Sequence, residues 1–444
     1  MKIIKGYDKA TKVLSREVSA GDYSITPVLK KRLEEMFGTQ DAEQAVSQII
    51  AEVRKRGNAA LFSYSRKIDG IKLESLEISS EKIKAARNKI DSRLMSALKL
   101  AADNIFSFHV AQRDAVMAGV GKMGESTIAR PLQNVGVYAP GGTASYPSTV
   151  LMTAIPAKVA GVEQVVLATP PGPDGEVPAP VLVAADFARV DRVFRIGGAQ
   201  AIAALAFGTE TVPKVDKICG PGNIFVMLAK RLVYGAVDID GLQGPSEVVI
   251  IADDMAKPSY LAAEILAQAE HDALATAILI TTSQELADEV RQEVSEQLVE
   301  LKRKDITAES LDKSGIITVV DSIEQAIELS NMYAPEHLCL DIRGAKDYIG
   351  KITNAGCIFI GDKPTVVMGD YVAGPSHALP TGGTARFSSP LNITDFIKYM
   401  NVVSVDDEKL RELGPAAITI ARAEGLEAHA RAVERRLQNN NRGI

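Results

Sequence analysis

Four of the five histidines in this 444-residue chain stand beside other residues that could bind a metal or transfer a proton. Imidazole binds transition metals, and it is the side chain whose ordinary proton equilibrium lies nearest neutral pH. In a chain with so few histidines, this grouping favours an enzyme and allows a metal-dependent one. The four are His271, His337, His377 and His429.

A metal site is one interpretation of Gln268 and His271, which would share one face of a helix because they are three residues apart. Histidine is a common zinc ligand, whereas a glutamine oxygen is an uncommon one, and a single such pair is more often structural. Asp370 offers a hard oxygen donor in a loop of small and polar residues, 369–386, which is typical of a functional loop. A turn aspartate without a metal is the alternative.

Proton transfer is one interpretation of Glu336 and His337, which are adjacent just before a predicted strand. A carboxylate beside an imidazole can exchange protons near neutral pH, although two such neighbours also occur by coincidence. Glu424 and His429 lie in a helical tail with Gly425 between them, so their spacing does not place them on one face. A solvated helix surface explains that pair equally well.

Glycines separate a predicted strand from a predicted helix at three places. Backbone without a Cβ can approach a phosphate closely, and a helix N-terminus supplies free N–H groups. None of the three loops matches GxGxxG, so only their combination indicates a cofactor. Right-handed crossovers would bring all three to the same sheet edge, where ligands bind in open α/β sheets. The loops are Gly141-Gly142, Gly197-Gly198 and Gly220-Pro221-Gly222.

The elements that must position these residues alternate between strand and helix from about residue 131, which predicts parallel sheets built from βαβ units. One α/β half ends near residue 245, and it includes a predicted strand at 164–170 and a helix near 179–188. The other half follows it. Its predicted strands are 246–253, 275–281, 315–320, 337–342 and 357–361, and its predicted helices are 258–270, 283–303 and 322–331.

The two ends of the chain are predicted to be helical. A helix should begin after Asp41, a plausible N-cap, and end at Gly57. A second helical stretch is predicted over about 80–112, with a break inside it. From about residue 391 the pattern predicts a short helix, a strand at 402–405 and a long helical tail with a turn at Gly425.

Composition excludes several classes of protein. The formal charge is −6 and no basic stripe is present, so nucleic acid is not an expected partner. Cys219, Cys339 and Cys357 form no CxxC pair, so neither a disulfide framework nor a thiolate zinc site is expected. The start lacks an apolar signal segment and no run of ~18 apolar residues occurs, so we expect a cytoplasmic protein without a membrane span.

Seven segments of the sequence, in this order, resemble the histidinol dehydrogenase family. The resemblance covers nearly the whole chain and is weakest before residue 40, and the joint presence of the segments is highly specific. They are NVGVYAPGGTASYPS, IGGAQAIAALAFGTETVPKVDKICGPGN, GPSEVVIIAD, AQAEHD, APEHL, GDYVAGPSHALPTGGTARFSS and EGLEAHARAV.

The resemblance implies an α/β fold with two Rossmann-like domains, parallel-rich sheets and an intertwined homodimer. The tail of one subunit would complete the active site of its partner. The implied divisions are an N-terminal segment at 1–24, a first α/β domain at 25–130 plus 246–390, a second α/β domain at 131–245 that carries the glycine loops, and a helical tail domain at 391–444.

The resemblance also implies a role for each residue that matches a family motif. Glu336 and His337 match the catalytic acid/base pair. One Zn²⁺ per subunit would be held by Gln268, His271, Asp370 and His429. Positions that contact NAD match Tyr138, Gln200 and Asn223. Substrate contacts would come from the four zinc ligands, His337, Ser246, Tyr371, His377 and Glu424.

The activity implied is the zinc-dependent oxidation of L-histidinol, through L-histidinal, to L-histidine with two NAD. His337 would accept protons and Glu336 would activate the water that adds to the aldehyde. The chain departs from the family at Ser376, where asparagine is usual, and at Gln243, where alanine is typical. Both departures could alter the pocket that selects the alcohol.

Three other activities are compatible with some of these residues. A related dehydrogenase would oxidise another small polar alcohol. A zinc hydrolase would use the metal and a glutamate to activate water on an ester or amide, but the glycine loops favour a nucleotide partner. A non-catalytic metal or nucleotide sensor would lose the base, whereas Glu336 and His337 are both present.

Overall fold

Strands and helices alternate along most of the chain in the computed structural model, which describes residues 1–16, 26–141 and 145–440. Gly142 of the predicted glycine loops and residues 17–24 of the predicted N-terminal segment lie outside the described residues. The strands of the described residues are β1 (Lys2–Lys5), β2 (Glu77–Ile78), β3 (Thr127–Pro131), β4 (Asn134–Tyr138), β5 (Gln164–Thr169), β6 (Arg192–Arg195), β7 (Lys217–Cys219), β8 (Asp238–Ile239), β9 (Glu247–Ala252), β10 (Thr276–Thr281), β11 (Gly315–Val319), β12 (His337–Asp341), β13 (Cys357–Ile360) and β14 (Ile397–Asn401). Their α-helices are α1 (Tyr7–Leu14), α2 (Pro27–Phe37), α3 (Ala42–Arg56), α4 (Asn58–Tyr64), α5 (Ser80–Ala85), α6 (Ser92–Gly121), α7 (Pro147–Ala160), α8 (Ala179–Phe187), α9 (Gly198–Phe207), α10 (Ile224–Val233), α11 (Pro258–Ala269), α12 (Gln284–Leu298), α13 (Lys304–Ser314), α14 (Ile323–Tyr333), α15 (Val366–Tyr371), α16 (Asp407–Ala423) and α17 (Glu427–Asn440).

The first sheet consists of parallel strands in the order β1-β11-β10-β9-β12-β13. Every residue of β9 is buried, which is typical of a parallel strand covered on both faces. Successive side chains of β9 enter opposite cores, because a strand alternates its faces. Val248 and Ile250 pack with α11 and α12, whereas Val249 and Ile251 pack with α1 and α14. All five predicted strands after residue 245 are confirmed.

The second sheet has the order β2-β6-β5-β4-β7-β8, and its strands are parallel except for β2 at one edge. One face carries α9 and α10 and the other carries α7, which contacts β4 and β5. The predicted alternation of strands and helices in this part of the chain is therefore confirmed, including the helix near 179–188, which is α8.

Packing of the front helices differs from the grouping that the resemblance implied. Residues of α3 and α4 share one apolar core with α9, α10 and the second sheet, not with the sheet that follows residue 246. The apolar face of α3, which includes Val46 and Ile49, lies against α9 and α10. Strand β1, from the predicted separate N-terminal segment, pairs with β11 in the first sheet.

The chain divides into two compact units. The first comprises Met1–Ala115 and Pro131–Ile397 and contains both six-stranded sheets, and the second comprises Val116–Arg130 and Lys398–Ile444. In the second unit α16 and α17 form a hairpin around Gly425, whose φ of 75° is favoured in glycine, and this confirms the predicted turn.

The strand predicted at 402–405 is wrong. The strand lies just before the predicted one: β14 ends at Asn401 and pairs with β3. Val402 makes one further backbone bond, from its N–H to the Ser126 carbonyl at 2.9 Å, and Val403 is 85% exposed. The apolar run therefore lies at the surface instead of in a sheet.

Helix limits were predicted best where a capping residue was present. The Asp41 carboxylate accepts the N–H groups of Glu43 and Gln44, and α3 ends at Gly57 as predicted. The predicted break inside 80–112 is confirmed, since a 3₁₀ turn and Asp91 separate α5 from α6. The helix predicted over 283–303 stops at Leu298, and the separate helix α13 was missed. Within the described ranges, no helix is both long and apolar enough to cross a membrane.

A buried ion pair supports the carboxyl edge of the second sheet. Lys230 and Asp240 form an ion pair, and their side chains are 2% and 1% exposed. Together they hold both peptide groups of Gly220, because its N–H donates to Asp240 Oδ2 at 2.7 Å and its carbonyl accepts Lys230 Nζ at 3.1 Å. The Gln243 Oε1 atom also accepts Lys230, at 2.9 Å. Two buried charges thus fix one glycine loop.

We expect Asp240→Asn to destabilise the fold by about 3–5 kcal/mol, because it leaves the Lys230 ammonium buried without its carboxylate. Urea unfolding followed by circular dichroism measures the change. Asp103→Asn is the matched control, because Asp103 pairs with Lys99 at the surface and exposed pairs are weak. An equally small change in both variants would contradict the prediction.

Candidate active site

The candidate site lies at the amino edge of the first sheet. The register pairs His337 at the start of β12 with Val248 of β9, so Glu336 and Ser246 stand side by side just before their strands. Helix α11 follows β9 and must return to this same edge before β10 begins beside Glu247. The amino ends of the parallel strands and the carboxyl ends of the helices that connect them therefore meet at this edge.

The Glu336 carboxylate is held by two donors. Ser246 Oγ donates to Glu336 Oε2 at 2.6 Å, and the Glu247 backbone N–H donates to the same atom at 2.8 Å. Burial raises the pKa of Glu336 to about 7, even though His337 and these donors favour the charged form. A carboxyl group with this pKa can give or take a proton near neutral pH.

The His337 imidazole is oriented through both nitrogens. Nδ1 lies 3.1 Å from the Glu247 carbonyl oxygen, which can only accept, so Nδ1 carries the proton of the neutral ring. Nε2 lies 3.3 Å from Asp370 Oδ1. Burial opposes protonation, but the carboxylates of Glu336 and Asp370 outweigh it and raise the pKa of His337 to about 9. Nε2 is therefore the atom that can exchange a proton.

Asp370 lies among three imidazoles at the end of α15. Burial favours the neutral acid, but the hydrogen bond from His337 and the nearby His377 and His271 rings lower the pKa of Asp370. His377 Nδ1 donates to the Asp370 carbonyl at 2.8 Å, and this bond leaves Nε2 of that ring as an acceptor. Burial lowers the pKa of His377. An ionised carboxylate and neutral imidazoles are suitable ligands for a divalent cation.

Gln268 and His271 complete the part of the predicted metal site that lies in the first unit. Gln268 is 2% exposed, and its terminal amide nitrogen has no hydrogen-bond partner among the described residues. Because amide oxygen and nitrogen are assigned from their partners, an unpartnered buried amide leaves either atom open to a ligand. His271 keeps accessible surface, yet desolvation by the surrounding protein lowers its pKa.

A metal-binding cluster made only of histidine, cysteine, aspartate and glutamate is not found in the part of the chain that the structure describes. The ligand set implied by the resemblance includes a glutamine and a residue of the second unit. The donors Gln268, His271 and Asp370 nevertheless fit Zn²⁺ in their chemistry, since amide oxygen, imidazole and carboxylate all bind it.

The loop after Asp370 is fastened to the second sheet's helix α7. Ser376 is 3% exposed, and its Oγ donates to the Met152 carbonyl at 3.0 Å and accepts the Ala378 N–H at 3.2 Å. The departure from asparagine at this position therefore bonds to backbone and not to the imidazoles. Tyr371 is 49% exposed beside the cluster.

The predicted NAD residues meet at the carboxyl edge of the second sheet. The Tyr138 hydroxyl accepts the Gly198 N–H at 3.1 Å, and Asn223 caps α10. Gln200 is 3% exposed and its Oε1 has no partner within the described residues. Gly220 has a φ of 116°, and an added Cβ would stand 2.1 Å from the Tyr138 carbonyl oxygen. At this edge the backbone therefore leaves no room for a Cβ at Gly220, and the amide oxygen of Gln200 remains without a described partner.

Comparison with known proteins decides the family. The sequence profile described as Histidinol dehydrogenase matches residues 33–437. A histidinol dehydrogenase of Dehalococcoides mccartyi strain CBDB1 is 56% identical over 438 residues, which cover 99% of this chain and 100% of that one.

The chain belongs to the histidinol dehydrogenase family.

Two further relatives agree with this assignment. The histidinol dehydrogenase of Clostridium acetobutylicum is 47% identical over 410 residues, covering 91% of this chain and 95% of the relative. A crystal structure of histidinol dehydrogenase from Elizabethkingia anophelis matches with a TM-score of 0.88 and 36% identity, covering 99% of each chain. This member of the family is therefore an oxidoreductase, and its α/β fold with parallel-rich sheets and a helical C-terminal region is the fold of that structure.

The tail residues of this histidinol dehydrogenase family member lie in the second unit. Glu424 follows α16, and His429 lies in the first turn of α17. Both side chains are exposed. The structure therefore places His271 near Asp370 and Gln268 one turn before His271, whereas Glu424 and His429 belong to the other unit.

One residue of the site was missed in the sequence. Glu264 stands four residues before Gln268 on α11 and is partly buried. Its Oε2 accepts the N–H of Val366 at 3.1 Å, at the start of the helix that carries Asp370. Burial raises the pKa of Glu264. The helical spacing of Glu264, Gln268 and His271 was the available signal.

We expect the contribution of the Glu336 carboxyl group to the stability of the metal-free protein to fall as pH rises from about 4.5 to 7. The folded chain retains the Glu336 proton up to a pKa of about 7, whereas the unfolded chain releases it near 4.5, so the folded state binds more protons in this window. Glu336→Gln cannot titrate at this position. The difference between its unfolding free energy and that of the wild type should therefore rise by on the order of 3 kcal/mol between pH 4.5 and 7. Urea unfolding of both proteins in chelator tests this, and a pH-independent difference would refute it.

Proposed function

We propose that this protein is an NAD-dependent L-histidinol dehydrogenase that oxidises L-histidinol through L-histidinal to L-histidine. The observation that carries the proposal is the grouping of Asp370 with three imidazoles, next to Glu336 with its pKa of about 7. The relatives named above are called histidinol dehydrogenases, which supports the same substrate.

We assign one Zn²⁺ per subunit to Gln268, His271, Asp370 and His429. When bound, Zn²⁺ would orient the substrate by binding its imidazole and amino nitrogens. In this chain Asp370 is ionised and His271 has a lowered pKa, so both present lone pairs near neutral pH. Glu264 fixes the start of the helix that carries Asp370.

His337 is the base of both oxidations. Its Nδ1 is held by the Glu247 carbonyl, so Nε2 takes the proton of the alcohol and later that of the hydrated aldehyde. Nε2 can do so only as the neutral imidazole, which requires that the two carboxylates that raise its pKa, first Glu336 and then Asp370, be neutralised or engaged by other partners. NAD, when bound, accepts one hydride in each oxidation.

Glu336 acts between the two oxidations. It takes a proton from the water that adds to the aldehyde carbon, while His337 returns the proton it took from the alcohol to the aldehyde oxygen and is neutral again for the second oxidation. The Glu336 pKa of about 7 suits that role because both protonation states are accessible near neutral pH. Ser246 and the Glu247 N–H hold its Oε2 in place. The hydrated aldehyde is the form from which a second hydride can leave.

Substrate binding is assigned to the amino edge of the first sheet, and NAD binding to the carboxyl edge of the second sheet. Ser246, Tyr371, His377 and Glu424 contact the substrate in addition to His337 and the zinc ligands. Tyr138, Gln200 and Asn223 contact NAD. The unpartnered Gln200 Oε1 supports that assignment, because it can accept a hydrogen bond from a donor group of a nucleotide.

The working protein is proposed to be a cytoplasmic homodimer with shared sites. Exposure of Glu424 and His429 on the tail hairpin supports their action in the partner's site. The free thiols Cys219, Cys339 and Cys357 suit a reducing compartment. A related dehydrogenase with another small polar alcohol remains the alternative, but Ser376 and Gln243 both bond within the protein framework and not to the imidazole cluster.

We expect about two NADH per L-histidinol consumed, because two hydrides must leave to convert an alcohol into an acid. Absorbance at the NADH band with limiting substrate gives the ratio, and chromatography identifies the product. A ratio of about one would limit the reaction to an aldehyde product. Hydrolysis of an ester without any NADH would instead favour the zinc hydrolase.

Shared sites predict complementation between two inactive variants. A heterodimer of His271→Ala and His429→Ala chains should have about half of the wild-type activity, since one of its sites combines both intact histidines. His271→Ala with Asp370→Ala is the matched control, because both changes lie in the first unit and every site keeps one defect. Equal activity in the two heterodimers would refute the sharing of His429.

A further inference from the structure

Glu247 is a buried charge at the start of an otherwise apolar strand, and Arg16 neutralises it. Arg16 Nη1 and Nη2 donate to Glu247 Oε1 and Oε2, both at 2.7 Å, in a two-pronged pair. The side chains are 20% and 9% exposed. Such a two-pronged pair fixes the orientation of the carboxylate and favours its charged form.

The backbone of Glu247 holds both members of the proposed acid/base pair. Its N–H donates to Glu336 Oε2 at 2.8 Å, and its carbonyl accepts His337 Nδ1 at 3.1 Å. These two groups flank the same Cα, so a rotation of the backbone at Glu247 would move both bonds at once. The register with β10 and β12 holds this backbone, and the fastened carboxylate of Glu247 restrains it further.

Arg16 is itself held from two further directions. Its guanidinium lies over the Tyr333 ring, with Cζ 3.6 Å from the ring centroid. Tyr333 ends α14, three residues before Glu336. A Cβ on Gly383 would stand 3.4 Å from Arg16 Cδ, and the neighbouring Gly382 N–H donates to Glu247 Oε1 at 3.3 Å. Arg16 therefore lies between the segment that leads into Glu336 and the loop that follows Asp370.

We propose that Arg16 is a positioning residue for Glu336 and His337 and that it acts through Glu247. This inference rests on the proposed function, because it takes Glu336 and His337 as the catalytic pair. Arg16 contacts neither of the reacting groups in this proposal. Its two-pronged pair holds the side chain of Glu247, whose peptide groups set the Glu336 carboxylate and the His337 imidazole to within the small tolerance that catalysis requires.

The test compares Arg16→Gln and Arg16→Lys with a matched control, Arg192→Gln. Arg192 also forms a two-pronged pair, with Glu77 at 2.8 and 2.7 Å, and also lies over an aromatic ring, 4.9 Å from the Phe194 centroid. It joins β6 to β2 in the second sheet and contacts no proposed site residue. Stability, zinc content, kcat and KM are measured for every variant.

Arg16→Gln should lower kcat by on the order of 100-fold, with KM for NAD and zinc content unchanged. Arg16→Lys should recover part of that loss, because lysine keeps the charge but not the two-pronged pair. Arg192→Gln should lose less stability, because its ion pair is more exposed, and it should keep its kcat. If Arg16→Gln does not fold, Arg16→Lys decides: a kcat below that of Arg192→Gln supports the inference, and a wild-type kcat overturns it.

Glu336→Gln and His337→Asn are measured in parallel to separate the two hypotheses. If either variant turns over normally, the proposed catalytic roles fail. If both lose activity while folded Arg16→Gln keeps a wild-type kcat, the proposed function stands and the role of Arg16 is overturned. A loss of kcat in Arg16→Gln that Arg192→Gln matches at equal stability also overturns it, since that loss would be merely structural.

Discussion

An ionised and mostly buried carboxylate among three imidazoles is the group on which the arrangement of this site depends. Burying the charge of Asp370 is unfavourable unless partners compensate it, and the hydrogen bond from His337 with the nearby His377 and His271 provide that compensation. His337 bonds the carboxylate itself, whereas His377 bonds the backbone carbonyl of the same residue. The proposed base and the proposed metal donors therefore share one charged group, and a bound cation would compensate the same charge.

Local sequence signals predicted the elements well where packing agrees with them. The apolar strand at Glu247–Ala252 and the helix that Asp41 caps were both confirmed, since burial on two faces and a capping side chain act over a few residues. The strand at 402–405 was wrong because an apolar run also occurs at a surface. The packing of α3 and α4 against the second sheet could not be predicted, because the sequence does not reveal which of two sheets an apolar helix face will cover.

The site was predictable in composition and less so in arrangement. Gln268 and His271 followed from helical spacing, and Glu336 with His337 followed from adjacency, but their roles came from resemblance. Nothing local marked Arg16, whose partner lies 231 positions along the chain. The available signal was Glu247 itself, because a carboxylate in a buried strand requires a cation that the sequence alone does not name.

The two sheets present their functional residues at opposite rims, the amino rim of the first sheet and the carboxyl rim of the second. The other rim of the first sheet, where β9, β10 and β11 lead into α11, α12 and α14, holds none of the assigned residues. We therefore expect insertions or deletions to be tolerated better at those three connections than at the connections into Glu247 and His337. Lineages of such enzymes can therefore diverge in length at that rim, while the connections into Glu247 and His337 must keep theirs.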